Sequence, residues 1–185
     1  MANQARARLL ELFKNRAMSF GRFTLASGKE STYYINSKKV LFNGEAVSLL
    51  GEVLWDLTKE LNIQAIGGLE VGAIPMATAA ALHYQMHGLP LEGFFVRKEA
   101  KDHGSRQRIE GLVQPGFRVA VIDDVFTQGT SVLQAITEVE RLGAEVVAVS
   151  CIVDRLEGAR ERLAPRYNYL PIFTIRDLGV EPPAP

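Results

Sequence analysis

The chain has 185 residues, with 21 Lys and Arg balancing 21 Asp and Glu and 47% of residues hydrophobic. This suits one domain burying roughly two-thirds of its unfolded surface, and it excludes the disordered and the strongly basic nucleic-acid-binding classes. The single cysteine, Cys151, permits no intrachain disulfide, no apolar stretch reaches the ~18 residues of a membrane span, and Met1 to Arg8 carry no signal core, so a cytoplasmic protein without membrane or nucleic-acid partners is expected.

From Asn3, the apolar stripe of Leu9, Leu10, Leu12 and Phe13 predicts a helix to about Met18, ended by Ser19-Phe20-Gly21. Phe23-Thr24-Leu25 and Thr32-Tyr33-Tyr34-Ile35, separated by Ser27-Gly28-Lys29-Glu30, predict two short strands about a glycine turn. After Asn43-Gly44, Val47, Leu50, Val53, Leu54, Leu57 and Leu61 mark an amphipathic helix over 45–61. Strands at 65–69 and 93–96 flank an alanine-rich helix at 74–86, and a strand at 118–123 precedes a helix at 131–142 stopped by Gly143. A strand at 145–153, a short charged helix at 156–163 and a last strand at 170–173 complete the pattern. Such alternation predicts an α/β fold over residues 1–185, with a central, mostly parallel sheet flanked by helices behind a small N-terminal β segment at 20–42. Ligands of such sheets bind beyond the carboxyl ends of the strands, so the residues following each strand are the site candidates.

The strongest of these is Val119-Ala120-Val121-Ile122-Asp123-Asp124-Val125-Phe126-Thr127-Gln128-Gly129-Thr130-Ser131. A buried strand ends in two carboxylates, and a loop of small and hydroxyl residues opens the next helix. Free N–H groups and the positive end of the helix dipole suit a terminal phosphate. The carboxylates can accept hydrogen bonds from vicinal hydroxyls or hold a hydrated magnesium ion. The plain alternative is a strand with acidic residues before an ordinary helix cap. A second run, Gly67-Gly68-Leu69-Glu70-Val71-Gly72-Ala73-Ile74-Pro75, has the Walker glycine spacing but carries Ala73 and Ile74 where Lys and Ser or Thr are required. It reads as a glycine turn able to cradle a pyrophosphate, or as simple strand-to-helix packing. A third, from Arg97 to Gly111, lacks apolar periodicity and carries five basic side chains and His103, which predicts a mobile loop supplying positive charge and a proton donor over the site. Cys151 reads as a packed core residue, and His83 and His87 as a helix face without a third metal ligand.

The Asp-Asp strand and its hydroxyl loop have the pattern of phosphoribosyltransferases that bind phosphoribosyl pyrophosphate. Arg97-Lys98-Glu99-Ala100-Lys101-Asp102-His103-Gly104, with Phe23 to Gly28 and Ser31 to Asn36, further resembles orotate phosphoribosyltransferases, a likeness running from about Phe20 to Leu178. The resemblance implies that residues 20–42 form a hood over the base and that 97–111 is a mobile catalytic loop. It assigns Arg97, Lys98, Lys101 and His103 to the pyrophosphate, Asp123 and Asp124 to the ribose hydroxyls, and Val125, Phe126, Thr127, Gln128, Gly129, Thr130 and Ser131 to the 5-phosphate. Lys98, Lys101, His103, Asp123 and Asp124 are the catalytic set it implies; Tyr34, Thr127 and Arg155 would meet orotate. It implies Mg²⁺ carried mainly by phosphoribosyl pyrophosphate with no direct protein ligand, and a homodimer whose loop is shared across the interface. Many bacterial members carry lysine where this chain has Ala26 and a basic residue where it has Gly72; Lys29, Lys38 and Lys39 are the candidates to compensate. Two other functions fit the same fold: transfer to a purine base, which leaves Arg155 without a carboxylate to recognise, and a metabolite-sensing regulator that binds nucleic acid, which needs a basic face and has no use for a charged closing loop.

Overall fold

In a computed structural model, described here for residues 2–24, 30–99 and 108–182, helix α1 (Ala2–Leu12) passes into a π-helical turn at Phe13–Ala17. Strand β1 (Met18–Thr24) follows at once, five residues before the predicted start, and pairs antiparallel with β2 (Glu30–Ile35). Asn36 N–H donates to the Ala17 carbonyl at 2.9 Å and closes the foot of this ribbon. Register breaks between Phe20 and Phe23, and the bulge hides the alternation that would have marked Met18–Arg22 as strand. A single-turn helix, α2 (Lys38–Leu41), lies in the segment predicted to be hood.

Helix α3 (Gly44–Thr58) is capped by Asn43, whose side chain accepts from Ala46 N–H at 3.1 Å, a contact of about 1 kcal/mol. Next come β3 (Ala65–Leu69), α4 (Ala73–Met86), β4 (Glu92–Val96), β5 (Ile109–Gly111) and β6 (Arg118–Phe126). The chain ends with α5 (Thr130–Arg141), β7 (Glu145–Asp154), α6 (Ala159–Leu163), β8 (Asn168–Tyr169) and β9 (Phe173–Thr174). Gly143, at φ 82°, turns the chain out of α5, a left-handed conformation that costs glycine least.

The central sheet runs β5-β4-β3-β6-β7-β8, with β9 also on β7. All pairs are parallel except β4 with β5, an edge hairpin the three-residue strand was too short to announce. The predicted strand at 170–173 is instead split into β8 and β9, joined by hydrogen bonds from Leu170 and Ile172 N–H to the carbonyls of Val149 and Cys151. On one face, Leu9, Phe13, Leu50, Leu54 and Met76 of α1, its π turn, α3 and α4 cover Ile66 and Ile122. On the other, Val132, Ile136 and Leu163 of α5 and α6 cover Val121 and Val149. Each fully buried side chain of this kind contributes roughly 1.5–3 kcal/mol, which fixes the strand ends where the site is built. Among the described residues no helix is long and apolar enough to cross a membrane.

Gly67 and Gly68 lie inside β3, not in the turn that follows it. A Cβ on Gly67 would stand 2.0 Å from the Phe94 carbonyl oxygen, and one on Gly68 1.9 Å from that of Ile122. They serve the close approach of β4 and β6, and only residues 70–72 of this run form the turn that follows the strand. Cys151 is fully buried in β7, where desolvation raises its thiol pKa and keeps it inert. His87 stacks flat on Trp55 at 4.2 Å, and His83 packs over Gly51, so both rings belong to the α3–α4 contact.

Candidate active site

Beyond the carboxyl ends of β3, β4 and β6 lies a cavity of about 200 Å³ lined by Lys38, Leu69, Glu70, Val71, Gly72, Lys98, Asp123, Asp124, Val125 and Ser131. Strand β6 runs three residues past its predicted end, because Val125 and Phe126 still pair with Val153 and Asp154, so both carboxylates belong to the strand itself. Asp123 is 8% exposed and accepts from Asp124 N–H at 2.9 Å. Asp124 Oδ1 accepts from Val125 N–H at 3.0 Å, while Oδ2 accepts from the Ser37 hydroxyl and faces Lys38 Nζ at 3.5 Å. Helix α2 thus brings a hydroxyl and an ammonium to the second carboxylate. Of the lysines that could offset Ala26 and Gly72, Lys38 is the one lining the cavity among the described residues; Ala26 and Lys29 lie outside them.

Burial first, and the adjacent Asp124 carboxylate second, push the Asp123 carboxyl well above its ordinary 3.8. The folded protein therefore holds a proton there that the unfolded chain releases. Asp123 is least costly below the unfolded value, and stability falls as pH rises from there through the raised folded value. Asp123→Asn should melt higher than wild type in the absence of substrate, by a margin that widens as pH rises from the unfolded value through the raised folded one. Differential scanning fluorimetry across that range tests this; a margin independent of pH would assign the gain to something other than the buried charge.

Thr127, Gln128 and Gly129 connect β6 to α5. Gly129, at φ 75°, is the N-cap and has no side chain to cover the first-turn N–H groups, which stay open to an anion beside Ser131. The Gln128 carbonyl accepts from Arg162 of α6 at 2.9 Å, which anchors the loop from behind. Phe126, expected to touch the phosphate, has its side chain in the core at 1% exposure against Tyr169; its carbonyl receives Arg155 N–H at 2.9 Å. Its side chain is packing, since Phe126 still belongs to β6.

At the end of β3, residues 70–72 turn into α4, with Pro75 in the helix's first turn, where no backbone donor is needed. The Glu70–Val71 peptide is cis. Glu70 N–H donates to the Val96 carbonyl and its side chain accepts from Lys98 N–H at 2.8 Å, tying this turn to the end of β4. Arg97 turns its guanidinium towards Glu110, 4.0 Å away, and does not line the cavity, whereas Lys98 does. Lys101 and His103 lie outside the described residues.

The base end differs most from expectation. Tyr34 is 45% exposed with its ring against Phe23 at 5.7 Å, while Tyr33, pointing to the other face of the ribbon, is 4% exposed and carries the Arg155 guanidinium 4.8 Å from its ring centroid. Arg155 Nε faces Glu157 Oε1 at 2.8 Å as an ion pair without hydrogen-bond alignment. The Tyr33 hydroxyl is buried with no partner among the described residues, and burial raises its pKa. Arg155 stands beside Phe126 at the end of β7 rather than in the lining of the cavity. Period-two alternation placed Tyr33 and Tyr34 on opposite faces, but only the packing of the ribbon says which face meets Arg155.

A sheet of this order, with paired carboxylates and an uncapped helix N-terminus over one cavity, is the framework of a phosphoribosyltransferase. A family model described as a phosphoribosyl transferase domain matches residues 37–181 and leaves the β1–β2 ribbon outside its span. The orotate phosphoribosyltransferase of Aquifex aeolicus is 44% identical over 177 residues, covering 94% of this chain and 96% of the relative. Solved structures of Mycobacterium tuberculosis orotate phosphoribosyltransferase superpose over 95% of this chain and 99% of theirs, with TM-score 0.83 and 38% identity for the complex with Fe(III) dicitrate. For the complex with phosphoribosyl pyrophosphate the TM-score is 0.79 and the identity 36%. The chain belongs to the orotate phosphoribosyltransferase family, and with it to the pentosyl-transferring enzymes.

Proposed function

We propose that the chain transfers the 5-phosphoribosyl group from phosphoribosyl pyrophosphate to orotate, releasing pyrophosphate and forming orotidine 5′-monophosphate, with its residues in the following roles. The observation that carries this assignment is the convergence of Lys98, Asp123, Asp124 and Ser131 on one cavity at the strand ends. Asp123 and Asp124 accept from the ribose hydroxyls. The open N–H groups of the Thr127–Ser131 loop bind the 5-phosphate, and residues 70–72 with Lys98 meet the pyrophosphate. Pyrophosphate leaves the anomeric carbon through an oxocarbenium-like transition state as the orotate nitrogen approaches the opposite face, so configuration inverts. Little covalent work falls to the protein, which orients two anions and stabilises the departing charge.

Lys101 and His103 join the pyrophosphate site on the strength of the family resemblance. Arg155, cationic and held by Tyr33 and Glu157, suits the orotate carboxylate. A magnesium ion would be carried on the diphosphate and its waters. When bound, that ion neutralises diphosphate charge. The enzyme works in this reading as a cytoplasmic homodimer in which part of the 97–111 loop reaches the partner's site.

A spectrophotometric assay should show magnesium-dependent consumption of orotate only when phosphoribosyl pyrophosphate is also present. Turnover of adenine or hypoxanthine with orotate untouched would move the assignment to a purine-specific enzyme.

A further inference from the structure

We infer that Arg108 is a positioning residue that sets the place of Lys98 in the pyrophosphate site, an inference that rests on Lys98 serving the departing pyrophosphate. Arg108 counted in the sequence among the basic side chains offered to that anion. The structure turns it away from the cavity. Its Nε donates to the Arg97 carbonyl at 3.0 Å and its Nη2 to the Lys98 carbonyl at 2.7 Å, while Nη1 meets Glu138 Oε1 at 3.1 Å. The Arg108 carbonyl in turn accepts from Arg97 N–H at 2.8 Å. All three guanidinium nitrogens are therefore engaged within the protein, on two carbonyls and a carboxylate.

Lys98 is gripped from both sides. Arg108 holds its carbonyl, and the Glu70 carboxylate holds its N–H at 2.8 Å. Glu70 belongs to the turn proposed for the pyrophosphate, and Glu138 belongs to α5, whose N-terminus forms the phosphate loop. The Glu138 side chain is 11% exposed and Arg108's 25%, so this pair is shielded well enough to resist screening. A lysine at the root of a polar loop would otherwise place its ammonium loosely, and a misplacement near 1 Å is enough to cost about a hundredfold in rate. The planar fork matters here: one ammonium at position 108 cannot reach two carbonyls and a carboxylate together.

The test is a double-mutant cycle on kcat, with KM for orotate and the melting temperature followed in parallel. Arg108→Ala should lower kcat by roughly tenfold to a hundredfold while KM for orotate holds. In a Lys98→Ala background the same substitution should change kcat by less than about twofold, because the residue it acts through is gone. Arg108→Lys should recover little. A merely structural arginine would lower kcat by the same factor in both backgrounds, and that result overturns the inference while leaving the role of Lys98 standing. Lys98→Ala with wild-type kcat would remove the role of Lys98, and the inference with it. If Arg108→Ala does not fold, Glu138→Gln replaces it in the same cycle, since it takes away the anchor on α5. Additive losses there count against the clasp and non-additive losses for it.

Discussion

Gly68→Ala should abolish stable folding. The added methyl would lie 1.9 Å from the Ile122 carbonyl oxygen and 3.2 Å from Ala73 Cβ, and neither can give way cheaply. Ile122 sits in β6, which is paired with β3 on one side and β7 on the other, so a shift there drags three strands and the Asp123–Asp124 site with them. Overpacking of this kind, against backbone rather than the end of a flexible side chain, belongs to the class that costs more than about 4 kcal/mol, against a total stability of roughly 5–15 kcal/mol. Gly44→Ala is the control: nothing stands within 4 Å of its Cβ position at the start of α3, and that variant should match or exceed wild type. Urea unfolding of the two variants decides the matter, and a Gly68→Ala midpoint close to wild type would mean that the sheet relaxes far more freely than its pairing allows.

The second large effect is on substrate affinity. Replacing Asp123 and Asp124 together by asparagine keeps the shape of the β6 end but removes the charged acceptor at Asp124 and, above its raised folded value, the one at Asp123. Each charge-assisted hydrogen bond lost costs roughly 1.5–3 kcal/mol, so phosphoribosyl pyrophosphate should bind about a hundredfold to ten-thousandfold more weakly. The amide introduced by Asp124→Asn would keep an oxygen for the Ser37 hydroxyl yet leave the Lys38 ammonium without its counter-charge. Calorimetry on the folded double variant tests this. Unchanged affinity would place the ribose hydroxyls elsewhere.

How much of this was legible in the sequence follows from how local each signal is. The β6–loop–α5 run was readable because four apolar residues, two carboxylates and a hydroxyl loop lie contiguous, and the structure brings Asp123, Asp124, Val125 and Ser131 into one cavity. Alternating strands and helices likewise announced the parallel sheet. Ser37 was invisible because its partner, Asp124, is 87 residues away, and α2 is too short to show a period. Arg108 was misjudged for a related reason. Composition marks a basic run as anion-binding, whereas the fate of each arginine depends on which carbonyls the hairpin brings to it. Glu70 looked like one polar residue in a glycine turn, and its grip on Lys98 appears only once β3 and β4 lie side by side.

Gly72 lies against the second carboxylate so closely that a Cβ there would stand 2.6 Å from Asp124 Cγ. Residue 72 and the Ser37–Asp124–Lys38 cluster therefore cannot vary independently. In this chain the positive charge beside that carboxylate is Lys38. Any side chain gained at 72 requires the carboxylate to be re-aimed before it or together with it, so changes at 37, 38 and 72 have an order in which they can be accepted.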